Sequence, residues 1–321
     1  MRALLSSNPQ SEIRIPQSPK KGPLRTKAFG AALCFLALLC LCAPHSFSRQ
    51  RVVGDDTPRQ PNRLLGIRLS PEVSSWLEEV ERKLAKEIYA EFAELDPADA
   101  GGDYTLGTSY LTSAGVGVVR VDESFRGRGE RLTEAVIGHE LLHLRLRARG
   151  YPLFLFAPEV KTMRGPAEDV EQPNVNDLVS LIEHRIFLPE MRRTGFDKLI
   201  DLTNYLDSAR RLRGRRDGQS EVLNYARAAL EWENPALLEE LTKIYRANGW
   251  TRSLADGRRL ADLIASSRVA TPGEVTPLFL RCMSILYRAD FRVEFDKQFS
   301  LSHIHPQMLI HARRPARPRR R

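Results

Sequence analysis

Two histidines four residues apart, with a glutamate directly after the first, stand in the stretch "IGHELLHLRLRARG", residues 137–150. Positions i and i+4 share one face of a helix, so His139 and His143 can direct two imidazole nitrogens to one point. Zn²⁺ accepts neutral imidazole nitrogens, and a catalytic zinc site leaves one position to water. Glu140 would lie beside the metal, where it could take a proton from that water. The spacing therefore predicts a zinc site with Glu140 as its general base.

The residues on either side of the motif bear on whether it is a metal site or a chance match. The flanking letters "AVIG" and "LL" are apolar, which predicts a buried helix rather than a solvated one. Burying two histidines and a glutamate side by side is unfavourable unless a partner satisfies their polar atoms. A metal ion is one such partner, and a hydrogen-bonded cluster within the core is the alternative.

With this motif the chain resembles the zincin metallopeptidases. The resemblance rests on His139, Glu140 and His143, with a predicted strand pair before them and a helical region after, and it covers about residues 70–195. It implies an α+β fold that is mostly helical, with a zincin-like catalytic unit, a small β-sheet and a helical C-terminal part. It also implies Zn²⁺ as cofactor and a peptide or protein as the substrate that is hydrolysed.

The third metal ligand separates the branches of that family. Metzincins have a histidine six residues after the second ligand, where this chain has Arg149, so that branch is excluded. Gluzincins take a glutamate from a later helix, and "NDLVSLIEHRIF" offers Glu183, forty positions after His143. The resemblance therefore implies Glu183 as the third ligand, with His184 as a rival ligand or a hydrogen-bond donor to the transition state. The chain departs from the gluzincin pattern at Phe187, where that branch has an acidic residue.

The elements before the motif are predicted from caps and periodicity. Ser70 is a natural N-cap and Pro71 suits a first helical turn, and apolar residues recur at helical spacing over 73–88. The stretch "YTLGTSYLTSAGVGVVRVDE" predicts two strands, about 104–111 and 116–121, joined by a turn. In zincins an extended substrate pairs with a sheet edge, and "GVGVVRV" is either such an edge or plain core.

The motif itself is expected on a helix from Glu130 to about Arg149, with Gly150 just beyond its end. A second helix is predicted over "VNDLVSLIEHRIFLPEM", ending near Pro189 because proline lacks the N–H that a helix interior needs. Nearly all of 195–300 has helical character.

The net charge of +9 lies at the two ends of the chain. Residues 1–27 carry +5 and residues 313–321 carry +6, which leaves the part between them close to neutral. No specific nucleic-acid partner is therefore expected, and the Arg/Pro end is interpreted as a solvated tail.

An uncharged apolar run, "AFGAALCFLALLCLCA", occupies residues 28–43 and follows a basic segment. This pattern is typical of an export signal or a signal anchor, so we expect an exported, periplasmic or otherwise extracytoplasmic protein, with 28–43 able to hold it in the membrane. The predicted organisation is then a signal over 1–48, a linker over 49–63, a zincin-like metal-binding domain over 64–215, a helical subdomain over 216–300 and a basic, disordered tail over 301–321.

A second function is compatible with the same residues. The chain could be a non-catalytic module that binds a peptide or protein on a zincin-like scaffold. The two hypotheses differ in one observable, because only the peptidase cleaves what it binds.

Overall fold

Helices account for most of the structure, a computed structural model in which residues 62–95, 106–157, 171–200, 206, 209–210, 217–297 and 306–312 are described. All of these residues belong to the unit Pro58–Arg321, one of two into which the chain divides. The helices are α1 (Pro71–Leu84), α2 (Glu130–Ala148), α3 (Gln172–Thr194), α4 (Gln219–Glu231), α5 (Pro235–Ala247), α6 (Thr251–Ser266) and α7 (Pro272–Tyr287). The strands are β1 (Arg63–Leu64), β2 (Ile67–Arg68), β3 (Tyr89–Ala93), β4 (Gly107–Leu111), β5 (Gly117–Asp122), β6 (Leu153–Phe156), β7 (Phe291–Phe295) and β8 (Gln307–Ala312). The predicted class, α+β and mostly helical, is confirmed.

The described strands form small sheets with a repeated topology. In the order β3-β5-β4, the central strand β5 runs parallel to β3 and antiparallel to β4. In the order β6-β8-β7, the central strand β8 runs parallel to β6 and antiparallel to β7. Of the two alternatives for "GVGVVRV", a sheet edge or plain core, the structure supports the core, because β5 has a partner on each side. The edge next to α2 is β4, which packs against that helix.

Helix α1 ends earlier than the apolar spacing predicts. It stops at Leu84, and Ala85 takes a left-handed conformation with φ 53°. The following residues form β3, and Ile88 packs against the face of β5 at Gly117, where a larger residue would clash. An apolar residue at the end of a helical pattern can equally belong to a strand, and pairing with β5 decides the outcome here.

Helix α2 runs through the middle of the core, as the apolar flanks predict. It packs against α1, β4, β5 and α3. Gly138 allows two aromatic rings to approach its backbone, since a Cβ there would lie 3.1 Å from a ring carbon of Phe196 and 3.2 Å from one of Trp76. The observed helix matches the predicted one, and Gly150 follows it with φ 86°.

Helix α3 continues past Pro189 to Thr194, so the prediction that it ends near the proline is wrong. Tertiary contacts hold the residues after the proline in place. Met191 is buried, and the carboxylate of Glu190 accepts from the Arg145 guanidinium of α2 at 2.8 Å. Burial and this ion pair offset the backbone hydrogen bond that proline removes.

Two strands near the C-terminus were not predicted. β7 interrupts the region 195–300 that was expected to be helical, and β8 lies within the segment 301–321 that was expected to be a disordered tail. The disordered-tail prediction is corrected for 307–312, because Ile310 is fully buried and the strand pairs with both β6 and β7. Residues 313–321 lie outside the described residues.

The apolar core is continuous across the predicted domain boundary. One cluster includes residues from α1 and α2 together with Val222 of α4 and Leu260 of α6. The predicted boundary at 215/216 falls in a stretch that the structure does not describe, so the division into 64–215 and 216–300 stays a prediction.

None of the helices within the described ranges is long and apolar enough to span a membrane. The expectation of a membrane-anchored protein is corrected on this finding, because no described helix can serve as the anchor. The segments 1–48 and 28–43, from which that expectation came, lie outside the described residues, as does nearly all of the linker 49–63.

Candidate metal centre

Helix α2 places two imidazoles side by side. The Nε2 atoms of His139 and His143 are 3.2 Å apart, and their ring centroids are separated by 4.8 Å. This arrangement follows from helical geometry, because residues four apart project from the same face. Both side chains are partly buried, so solvent reaches this part of the site.

Helix α3 brings a third imidazole to the same point. The ring centroid of His184 lies 4.8 Å from that of His139 and 5.2 Å from that of His143. One donor atom from each of the three rings lies within 4.8 Å of the other two, which is close enough for all three to hold one metal ion. Phe187 packs against the three rings, with centroid distances of 5.5, 4.9 and 5.1 Å.

The spacing of the three histidines fits a metal ion, and so does the protonation of His139 and His184. Nitrogens bound to one tetrahedral zinc at 2.0–2.1 Å are roughly 3.3 Å from each other, a spacing that the α2 pair already has. Burial, reinforced by nearby positive charge, holds the pKa of His139 and of His184 well below the ordinary histidine value. Metal ligation needs the neutral imidazole, so these rings are already in the required state.

Glu183 lies behind His143 rather than among the clustered donor atoms. Its Oε2 is 2.7 Å from Nδ1 of His143, and its Oε1 forms an ion pair with Arg147. Burial acts to raise the pKa of the Glu183 carboxyl, but Arg147 and His143 outweigh it and the pKa is lowered. An ionised carboxylate only accepts hydrogen bonds, so Nδ1 of His143 carries the proton and Nε2 is left for a metal.

His184 has a corresponding carboxylate from α4, 47 residues further along the chain. Oε1 of Glu231 is 2.6 Å from Nδ1 of His184, and the Glu231 side chain is only 2% exposed. Burial raises the pKa of Glu231 to about 7, although Arg227, at 3.8 Å, acts to lower it. On the other side of the ring, Nε2 of His184 is 3.2 Å from Oγ of Ser180.

Three of these neighbours were not predicted from the sequence: Ser180, Arg227 and Glu231. Ser180 could have been found, because it lies one helical turn before His184. Glu231 and Arg227 belong to no motif, and only the packing of α4 against α3 brings them to the site.

Glu140 is covered by the edge strand β4. It is 6% exposed, and Ser109 of β4 hydrogen-bonds to its carboxyl group. A Cβ at Gly107 would lie only 3.0 Å from Cγ of Glu140, so the strand backbone passes directly over this side chain. Burial raises the pKa of Glu140, and His143 and Ser109 partly oppose that increase.

No known protein family, no curated protein and no solved structure matches the chain. The site is therefore defined by the positions of its own residues. It consists of His139, His143 and His184, close enough together to bind a metal, with the buried Glu140 next to the first of them.

Proposed function

We propose that the protein is a zinc-dependent metallopeptidase. His139, His143 and His184 would hold the ion, and Glu140 would act as the general base. The observation that carries this proposal is the convergence of three imidazoles from two helices beside a buried glutamate, with burial lowering the pKa of His139 and His184. A site of three protein ligands is typical of catalytic zinc, since it leaves one position to water or substrate.

His184 is preferred over Glu183 as the third ligand because of where the two side chains lie. The Glu183 carboxylate is already occupied by Nδ1 of His143 and by Arg147. The His184 ring faces the other two rings and has its Nδ1 on Glu231, which leaves Nε2 to bind the metal. A set of three imidazoles suits zinc among the divalent cations, although copper, iron and nickel also accept such ligands.

Bound zinc supplies Lewis acidity, which makes water a better nucleophile near neutral pH and polarises a peptide carbonyl. The chain supplies the proton transfer. A raised pKa suits Glu140 to take a proton near neutral pH and to pass it on to the leaving amine. An extended peptide could pair with β4, because that strand is at the edge of its sheet and lies over Glu140.

Metal analysis and a peptide-library assay test the proposal together. Wild type should bind one zinc and cleave peptides, and Glu140→Gln should retain the zinc and lose the cleavage. His184→Ala should lose the zinc, whereas Glu183→Gln should retain it when zinc is in excess. If His184→Ala holds zinc at full stoichiometry and Glu183→Gln does not, the ligand set is wrong and Glu183 is the third ligand.

The close cover over Glu140 favours one alternative. A glutamate that is 6% exposed beneath β4 could be purely structural, and the chain would then be a metal-binding module that binds peptides without cutting them. Wild-type protein with one zinc, measurable peptide binding and no cleavage of any library member would support that alternative.

A further inference from the structure

Glu231 ends helix α4 in a position that is unfavourable for a carboxylate. The side chain is 2% exposed, so it has lost almost all of its hydration. It also lies at the C-terminal end of a helix, where the backbone carbonyls make the local potential negative. A buried charge in such a place needs specific partners to offset its desolvation.

The nearest partner is a metal-site histidine and not an arginine. Oε1 of Glu231 is 2.6 Å from Nδ1 of His184, whereas Nη1 of Arg227 is 3.8 Å away. Arg192 donates to the backbone carbonyl of Glu231 at 3.2 Å. Nη1 of Arg227 also lies 3.4 Å from Nδ1 of His184, but a guanidinium can only donate, so of these two neighbours the Glu231 carboxylate is the one that can accept from that nitrogen. Nδ1 of His184 therefore carries a proton and donates it to Glu231.

From this contact we infer that Glu231 is the positioning residue of His184. It fixes the Nδ1–H tautomer and the ring orientation, so that Nε2 is presented to the metal. The inference rests on the proposed function, because it takes His184 as a ligand. Partners of this kind also increase the basicity of the ligand, and their loss typically weakens metal binding by about 10- to 100-fold.

The same arrangement occurs on the other side of the site. Glu183 accepts from Nδ1 of His143 at 2.7 Å, and Arg147 pairs with that carboxylate. Two of the three imidazoles are thus held from behind by a buried carboxylate with an arginine beside it. One of these carboxylates comes from α3 and the other from α4, so a complete metal site requires α4 to be packed in place.

The test measures zinc affinity of the full chain by competition with a chelator. Glu231→Gln keeps the side-chain size and removes the negative charge, and it should weaken zinc binding by about 10- to 100-fold. Glu239→Gln is the matched control, because Glu239 of α5 is 67% exposed and pairs with Lys243 of its own helix. The control should bind zinc as wild type does. Zinc binding by Glu231→Gln within twofold of wild type would overturn the inference.

A second readout separates positioning from a role in folding alone. Cobalt(II) in place of zinc reports ligand geometry through its visible spectrum, which should change in Glu231→Gln and stay constant in Glu239→Gln. If Glu231→Gln fails to fold, nitrogen-15 NMR of the wild-type histidine rings still decides the question. An Nδ1–H tautomer for His184 supports the inference, and an Nε2–H tautomer in the zinc-bound protein overturns it.

The failure of the inference can be told apart from failure of the proposed function. If His184→Ala retains full zinc, the ligand set is wrong. If His184→Ala loses zinc while Glu231→Gln binds it normally, the ligand set holds and only the role of Glu231 is lost.

Discussion

The two sides of the candidate metal centre are built in different ways. On the α2 side, His139, Glu140 and His143 lie within five consecutive residues, and helical spacing alone brings them together. On the α3–α4 side, His184 is held by Glu231, 47 residues further along the chain, and only tertiary packing joins them. Half of the site is therefore a local property of one helix, and the other half is a property of the fold.

The two carboxylates behind the imidazoles also differ in their electrostatics. The pKa of Glu183 is lowered, since Arg147 and His143 outweigh the effect of burial. The pKa of Glu231 is raised to about 7, since burial dominates and Arg227 is farther away, at 3.8 Å. The negative charge of Glu183 is thus closely compensated by neighbouring positive groups, whereas the charge of Glu231 is compensated less closely.

The largest effect is expected on zinc affinity when one proposed ligand is removed, either His139 on the α2 side or His184 on the α3 side. If a zinc binding free energy of about 10–16 kcal/mol is shared by three ligands, removal of one weakens binding by roughly 10²- to 10⁴-fold. His139→Ala and His184→Ala should therefore show similar losses in chelator competition. Normal zinc affinity in His184→Ala alone would contradict the prediction, because it would show that the α3 side contributes no ligand.

The next effect concerns the ion pair on the α2 side. Arg147→Ala leaves the buried Glu183 carboxylate without its arginine. Breaking such a pair should lower the free energy of unfolding by about 3 kcal/mol. This is the low end of the usual range, because His143 still donates a hydrogen bond to Glu183. Urea unfolding of the metal-free protein measures the loss. Arg193→Ala is the control, because its side chain is 68% exposed, and it should unfold like wild type. Equal stability of the two variants would contradict the prediction.

A smaller effect is expected where β4 crosses Glu140. In Gly107→Ala the new methyl carbon would lie 2.8 Å from Cγ1 of Val136 and 3.0 Å from Cγ of Glu140, which should destabilise the fold by about 1–3 kcal/mol. Peptide cleavage should fall further than zinc affinity, because Glu140 is displaced and the histidines are not. Gly273→Ala has open space at its Cβ and should change neither quantity. A parallel loss of zinc and cleavage in Gly107→Ala would argue against a separate role for Glu140.

The smallest effect is expected at Ser180. Its hydroxyl lies 3.2 Å from Nε2 of His184, the nitrogen that would face the metal. Ser180→Ala should therefore change stability by no more than about 1 kcal/mol and zinc affinity by less than about tenfold. A loss of zinc affinity as large as that of His184→Ala would contradict this prediction and would identify Ser180 as part of the ligand system on α3.

Much of the fold near the motif could be predicted from local pattern. The boundaries of α2, the strand pair β4–β5 and the presence of α3 all follow from caps, apolar spacing and β-branched residues. The elements that were not predicted share one feature, since each is stabilised by a segment that is distant in the sequence. Strand β3 pairs with β5, and β8 pairs with β6 and β7. The end of α3 beyond Pro189 is held by contacts with α2.

By itself, the sequence determined that His139 and His143 share one face of a helix, because residues four apart project to the same side when the period is 3.6 residues. Glu140 follows His139 directly in the sequence and projects to the neighbouring side of the helix. Only the tertiary structure decided which neighbour on α3 joins them. Glu183 and His184 are adjacent in sequence, and the packing of α3 on α2 directs the carboxylate to the back of His143 and the imidazole into the cluster. The role of Glu231 had no local signal, because a carboxylate 47 residues away reaches His184 only when α4 is in place.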